Sequence, residues 1–179
     1  LVGRHAAVGA ADPHVLRALL LGEAREEAGL AHLLLGRPGP VAFEQVGGSD
    51  MCLEMAKNYA LERFAFGRAI GGYQAIKHRL ADMYAKNVLA RGNAYYGAWA
   101  LNSDAPELPI AAAGARISAC DAYWFAAKEN VQVHGGMGFT WEIDAHLHYR
   151  RSRQLALVAG SARNWKHRLV SMLERRNAA

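Results

Sequence analysis

The chain has 179 residues, 52% of them apolar and 21% charged, with a formal net charge of +5 and 18 glycines that follow no fixed period. This composition excludes a disordered tail, a collagen-like repeat and a low-complexity segment, and one domain of this length buries about 70% of the surface its unfolded chain exposes. Cys52 and Cys120 form no CxxC pair, which excludes a zinc-finger spacing or disulfide framework, so a reduced, cytoplasmic setting is expected. No apolar run reaches the ~18 to 20 residues needed to span a membrane.

The first forty residues are the least clear. Asp12-Pro13 has the N-cap and N1 signature of a helix start, and Gly22 divides the next stretch into Val15 to Leu21 and Glu23 to Leu35. Gly36, Pro38, Gly39 and Pro40 form the linker-like stretch. Residues 1–40 are therefore expected to be an N-terminal segment, the remnant of a preceding domain and its linker, and residues 41–179 a helical bundle. The chain opens on Leu1 rather than Met, which counts toward a piece of a longer protein.

Val46, Leu53, Ala56, Ala60 and Phe64 predict a helix stopped by Gly67 and Gly71-Gly72. Gly47 and Gly48 on it would let a neighbouring backbone come close. Ile76, Leu80, Met83, Ala90, Ala94, Gly97 and Leu101 recur at steps of three and four with Asn87 as the one polar interruption, which predicts a long helix with one core-facing stripe. After the turn residues Ser103, Asp104, Pro106 and Pro109, a second stripe runs through Ala113, Ile117, Cys120, Trp124, Ala127, Val131 and His134. These two helices should pair. Beyond Gly135 to Gly138, the segments from about Asp144 to Val158 and from Ser161 to Glu174 predict two shorter helices, with Ser161 as an N-cap. No segment alternates with period two for long enough to predict a strand. The expected fold is all-α, an up-and-down helical bundle.

The basic excess is uneven. Arg150, Arg151, Arg153, Arg163, Lys166, Arg168, Arg175 and Arg176 stand against Glu174 as the one carboxylate after His146. A solvated face of two helices is the favoured reading; nucleic acid is disfavoured because exposed aromatics do not interleave the cluster and no recognition motif is visible. Gly135-Gly136-Met137-Gly138 follows a helix rather than a strand, so it is not a Rossmann fingerprint, and by itself reads as a tight turn. His134 on the apolar stripe reads as a core histidine, and no metal site is expected. His146 and His148 should diverge on a helix. No nucleophile elbow is present, and Trp99, Trp124, Trp141 and Trp165 are expected in the core more than on a cofactor shelf.

Two separated segments carry a resemblance. Arg63-Phe64-Ala65-Phe66-Gly67-Arg68-Ala69-Ile70 continues to Tyr73-Gln74, Lys77 and Leu80-Ala81-Asp82-Met83; Gln132-Val133-His134-Gly135-Gly136-Met137-Gly138-Phe139-Thr140 continues to Tyr149-Arg150. Together, and in this order, they resemble the C-terminal helical domain of the acyl-CoA dehydrogenases from about Val41 to Leu169. The resemblance implies an FAD-dependent oxidoreductase of lipid metabolism that removes two hydrogens from an acyl-CoA thioester. It implies that Arg63, Phe66 and Gln74, with Gln132, Gly135 and Gly136, meet the FAD of a neighbouring subunit. The flavin site would thus be shared within a homo- or hetero-oligomer, and an electron-transfer acceptor would take the electrons.

The catalytic residue is not assigned. Many family members carry a Glu followed by Gly-Thr after the segment matching Tyr149-Arg150, where this chain reads Ala159-Gly160-Ser161. Others carry the base at the start of the bundle's first helix, where the register gives Arg37, with Pro38 where a substrate-contacting Arg often sits. A guanidinium stays protonated and cannot abstract an α-proton, and Glu44, the nearest acid on that helix, reads as an ordinary surface carboxylate. The resemblance therefore implies a subunit or fragment whose activity needs a partner chain or further domains. The alternative is a non-catalytic bundle with an association role and no flavin.

Overall fold

The computed structural model describes residues 38–158 and 160–178. The readings placed on residues 1–37, Arg37 among them, and on Ala159 lie outside the described residues. The order of elements is helix α1 (Pro38–Glu62), a two-stranded hairpin β1 (Phe64–Ala65) and β2 (Arg68–Ala69), a 3-10 turn (Ile70–Gly72), then helix α2 (Gln74–Asn102). Helix α3 (Leu108–His134), a second 3-10 turn (Gly135–Phe139), α4 (Ala145–Val158) and α5 (Ala162–Ala178) complete it. The fold is the expected all-α bundle.

Helix α3 packs against each of the other four helices. It is consequently buried on more than the predicted stripe, with Ala112, Ala115, Ala119, Ala122, Tyr123 and Ala126 inside as well as Ala113, Cys120 and Ala127. Small side chains at its contacts with α1 and α2, including Ala56, Ala60, Ala90, Ala94 and Ala119, allow close interaxial approach. Between α1 and α2 the core is partly polar. Ser49 Oγ donates to Asn87 Oδ1, and Asn87 Nδ2 donates to Asp50 at 3.1 Å. The one polar interruption of the α2 stripe thus satisfies its hydrogen bonds across the helix pair.

The sequence predicted no strand, yet Phe64 pairs with Ala69 and Ala65 with Arg68 in an antiparallel register. Two-residue strands are too short to show alternation. The loop between them has positive φ at both central residues, Phe66 at 52° and Gly67 at 82°, which is the signature of the primed turn that matches strand twist. Phe64, predicted on the first helix stripe, is consequently 67% exposed. Tyr73 braces the hairpin by donating its hydroxyl to the Ala65 carbonyl at 2.9 Å, while the Arg68 guanidinium lies 4.0 Å over its ring.

Two further expectations are settled by burial and capping. Ser161 caps α5 by accepting the Asn164 amide at 3.3 Å. Of the four tryptophans, Trp165 is buried, whereas Trp99 and Trp141 are exposed, so the expectation of core tryptophans fails for those two. Trp99 instead stacks on Tyr96 along the outer face of α2, with ring centroids 5.6 Å apart. No helix among the described residues is long and apolar enough to cross a membrane.

Candidate functional site

The end of α1 and the end of α3 meet at a groove of about 470 Å³ lined by Tyr59, Arg63, Ile70, Val133, His134, Gly135 and Gly136. Three of the six residues expected to meet a cofactor, Arg63, Gly135 and Gly136, therefore share one wall system. Arg63 follows directly on the last residue of α1, its amide bonded to the Tyr59 carbonyl at 2.8 Å. Its side chain is exposed, and among the described residues its guanidinium has no ion-pair partner. Gly135 ends α3 with φ of 59°, a left-handed conformation that disfavours a side chain, and returns its amide to the Gln132 carbonyl. Gln132 itself is exposed on the last turn of α3.

Gly136 behaves differently from Gly138. A Cβ on Gly138 would lie 2.5 Å from the Val131 carbonyl oxygen, so the fold itself requires that glycine. A Cβ on Gly136 would meet nothing within 4 Å, and its φ is not in the left-handed range. Nothing among the described residues requires Gly136 to lack a side chain, which suits a bare backbone presented to something outside the chain. Phe66 and Gln74 stand on the neighbouring connection. Phe66 is 97% exposed at the hairpin tip and holds its positive φ there, while Gln74 is exposed at the first position of α2. Neither lines the groove.

His134 is buried, its Nδ1 2.8 Å from the Asn130 carbonyl oxygen and its ring 4.3 Å from that of Tyr59. It serves as a packed wall of the groove. Tyr59 was not singled out from sequence, although it precedes Arg63 by four residues, the spacing that places two side chains on one helix face. Met137, also in the groove, carried no signal beyond its place among glycines. Among the described residues, no group of three or more His, Cys, Asp or Glu side chains could hold a metal ion.

Away from this groove, Arg151 of α4 reaches Glu44 of α1 through Nε at 2.8 Å and Nη2 at 2.5 Å, both to Oε1. Glu44 is half exposed and ion-paired, which agrees with its reading as an ordinary carboxylate. His146 and His148 diverge as expected. Nδ1 of His146 lies 3.0 Å from the Ile143 carbonyl oxygen, and Nδ1 of His148 lies 3.0 Å from the Tyr123 hydroxyl.

Residues 30–168 match the sequence model of the family described as acyl-CoA dehydrogenase, C-terminal domain. The chain belongs to the acyl-CoA dehydrogenase family. Over 133 residues it is 41% identical to acyl-CoA dehydrogenase IpdE2 of Mycobacterium tuberculosis, covering 73% of this chain and 39% of that protein. Among solved structures it superposes on butyryl-CoA dehydrogenase from Megasphaera elsdenii with a TM-score of 0.77 at 26% identity, covering 85% of this chain and 38% of that one. It also superposes on a chain of the ChsE4-ChsE5 complex from Mycobacterium tuberculosis, with a TM-score of 0.71 at 29% identity over 75% of this chain and 36% of the other. This chain thus spans about two fifths of these relatives.

Proposed function

We propose that the chain contributes the C-terminal bundle to an FAD-dependent acyl-CoA dehydrogenase and that its flavin site is completed by other chains or domains. The observation that carries this is the convergence of Arg63, Gly135 and Gly136 on one groove, two of them from the family's glycine motif and one from its Arg-Phe motif. The residues fit the dinucleotide part of FAD. Arg63 offers an uncommitted guanidinium, which suits a pyrophosphate through charge-assisted hydrogen bonds of about 1.5 to 3 kcal/mol. Gly136 offers backbone with no side chain in the way. Phe66, 97% exposed at the hairpin tip, suits a flat ring brought by the neighbour, while Gln74 and Gln132 are exposed amides that the family resemblance assigns to the same cofactor.

Arg63, Gly135 and Gly136 would hold the dinucleotide end of FAD, which would supply the acceptor for the hydride leaving the acyl β-carbon. The chain's own share is to hold the cofactor's phosphate end and to present α1 and α4 toward the acyl thioester. The proton from the α-carbon must go to a carboxylate, and Ala159 cannot receive it. That base therefore comes from elsewhere in the assembly. Hetero-oligomers are a precedent in this fold, since one superposed chain belongs to a ChsE4-ChsE5 complex. An electron-transfer acceptor completes the cycle.

Ala159 also supports a second reading, in which the bundle only associates with partners and carries no flavin. Purification of the full-length gene product with its co-purifying partners decides between them. Bound FAD, with dye reduction dependent on added acyl-CoA, is the expected result. A colourless complex with no such reduction in the presence of added FAD would establish the associating subunit instead.

A further inference from the structure

Phe66 combines two properties that oppose each other. It holds φ of 52° at the tip of the β1–β2 hairpin, and its side chain is 97% exposed. The left-handed region is disfavoured for a bulky L-residue, and a ring in solvent recovers none of that cost by packing within the chain. Such a conformation persists only where the surrounding structure fixes it. The residue that does so is Tyr73.

Tyr73 stands immediately before α2, and its carbonyl accepts the amides of Ile76 at 3.1 Å and Lys77 at 3.0 Å, so its backbone is fixed at the start of a 29-residue helix. Its side chain runs back to the hairpin. The hydroxyl donates to the Ala65 carbonyl at 2.9 Å and lies 3.3 Å from the Phe66 carbonyl oxygen. Those two carbonyls belong to the peptide planes on either side of the Phe66 α-carbon, and the direction of its Cα–Cβ bond follows from those planes. One hydroxyl thus sets where the Phe66 ring leaves the chain. The Arg68 guanidinium, 4.0 Å over the Tyr73 ring, holds the brace from β2. At the base of the hairpin the Ile70 amide donates to the Arg63 carbonyl at 2.8 Å, and a Cβ on Gly71 would lie 2.9 Å from the Ala60 carbonyl oxygen, so the base is pressed onto α1. Arg63 and Phe66 are therefore two ends of one unit, joined to α1 at its base and to α2 through Tyr73.

We propose that Tyr73 is a positioning residue for the cofactor, setting the angle at which the Phe66 ring is offered to an FAD brought by a neighbouring chain, relative to the Arg63 guanidinium. Within the flavin reading, on which this extension rests, Tyr73 touches no cofactor itself and acts through Phe66. A contact between flat rings depends on orientation as well as area, so a tip free to turn would meet the cofactor in fewer of its conformations. Preorganisation of this kind raises affinity by removing the ordering of the tip from the binding step.

The test compares Tyr73→Phe with the parent in the full-length gene product and its co-purifying partners. The variant keeps the ring, and with it the contact with Arg68, and loses only the hydroxyl. FAD affinity, read from the fluorescence of released flavin, should weaken about threefold to tenfold, the effect of one neutral hydrogen bond. In a Phe66→Ala background the same substitution should change FAD affinity by less than about twofold, because the ring that Tyr73 orients is gone. A merely structural role would weaken binding equally in both backgrounds, and that result would overturn the assignment. Equal FAD affinity in the parent and Y73F would overturn it as well, while leaving the flavin reading intact. A parent complex that binds no FAD would instead reject the flavin reading, and the positioning role with it.

Discussion

A Cβ added to Gly48 would sit 2.5 Å from Cζ of Tyr123, closer than any packed side chain tolerates, so the two positions accommodate one large residue and one that is bare. The adjacent Gly47 is open, with nothing within 4 Å of the same added atom. Two neighbouring glycines in the middle of α1 thus have opposite reasons for being there.

The pair makes a controlled prediction. Gly47→Ala should raise stability by up to about 1 kcal/mol, the helix-propensity gain with no steric offset. Gly48→Ala gains the same propensity but must displace a buried ring, and overpacking of that kind costs about 1 to 3 kcal/mol, so it should be destabilising on balance. Urea unfolding of both variants measures the difference. In the double variant with Tyr123→Leu, the penalty at position 48 should shrink, because the ring that meets the new methyl is gone.

Cys52 is fully buried, and burial pushes its thiol up to about 12. Cys120 is shifted in the same direction by the same cause. Neither thiolate is populated near neutrality, and neither sulfur is open to reagent, so both thiols should stay silent toward a disulfide-exchange reagent at pH 8. Addition of denaturant should release two thiols per chain. Rapid labelling of either cysteine in the native protein would show that its helix opens locally far below the global unfolding free energy.

How much of the structure was legible in the residues depends on the range of the interaction. The helices were, because alanines and other small residues recur at steps of three and four and Ser161 stands where a cap must. The span of α3 was legible, but not how much of it is buried, since a helix surrounded on all sides carries no polar face from which to read its position. The hairpin escaped because its strands have two residues each and its turn places Phe66, a bulky residue, at positive φ. The Arg63, Gly135 and Gly136 cluster was anticipated from the family resemblance alone, as no spacing connects residues over 70 positions apart. The Tyr123 and His148 pair was not anticipated at all, since it arises from the packing of α3 against α4.

Arg116 was equally hidden among the polar groups. It lies on α3 at 3% exposure, donates to Gln45 Oε1 and to the Leu155 carbonyl in the last turn of α4, and keeps its Nε buried without a partner. Burial lowers its pKa, and the carbonyl end of α4 offsets part of that cost through the helix dipole. Removal of the side chain leaves two buried acceptors short of donors and a cavity between helices. Arg116→Ala should therefore cost about 2 to 4 kcal/mol. Arg116→Met fills the space without the charge and should cost less, because desolvation of the guanidinium is relieved. Thermal unfolding of the two variants ranks them, and equal losses would mean that packing contributes little at this position.

The half-buried His148 gives the bundle a defined response to acid. Its pKa is lowered chiefly by burial, with Asp144 pulling weakly the other way. A histidine whose folded pKa lies below its unfolded value of about 6.5 takes up its proton more readily in the unfolded chain. Stability associated with this site is therefore complete above pH 6.5 and is lost as pH falls through the folded pKa. Protonation would put a hydrogen on both ring nitrogens, so that Nδ1 would donate to the Tyr123 hydroxyl 3.0 Å away and the hydroxyl would accept. Urea midpoints measured between pH 7.5 and 5 should fall, and the fall should be smaller in His148→Gln, which has no charge to acquire. A pH dependence identical in the two proteins would mean that His148 titrates as it does in the unfolded chain, and that the Tyr123 hydrogen bond does not constrain its protonation.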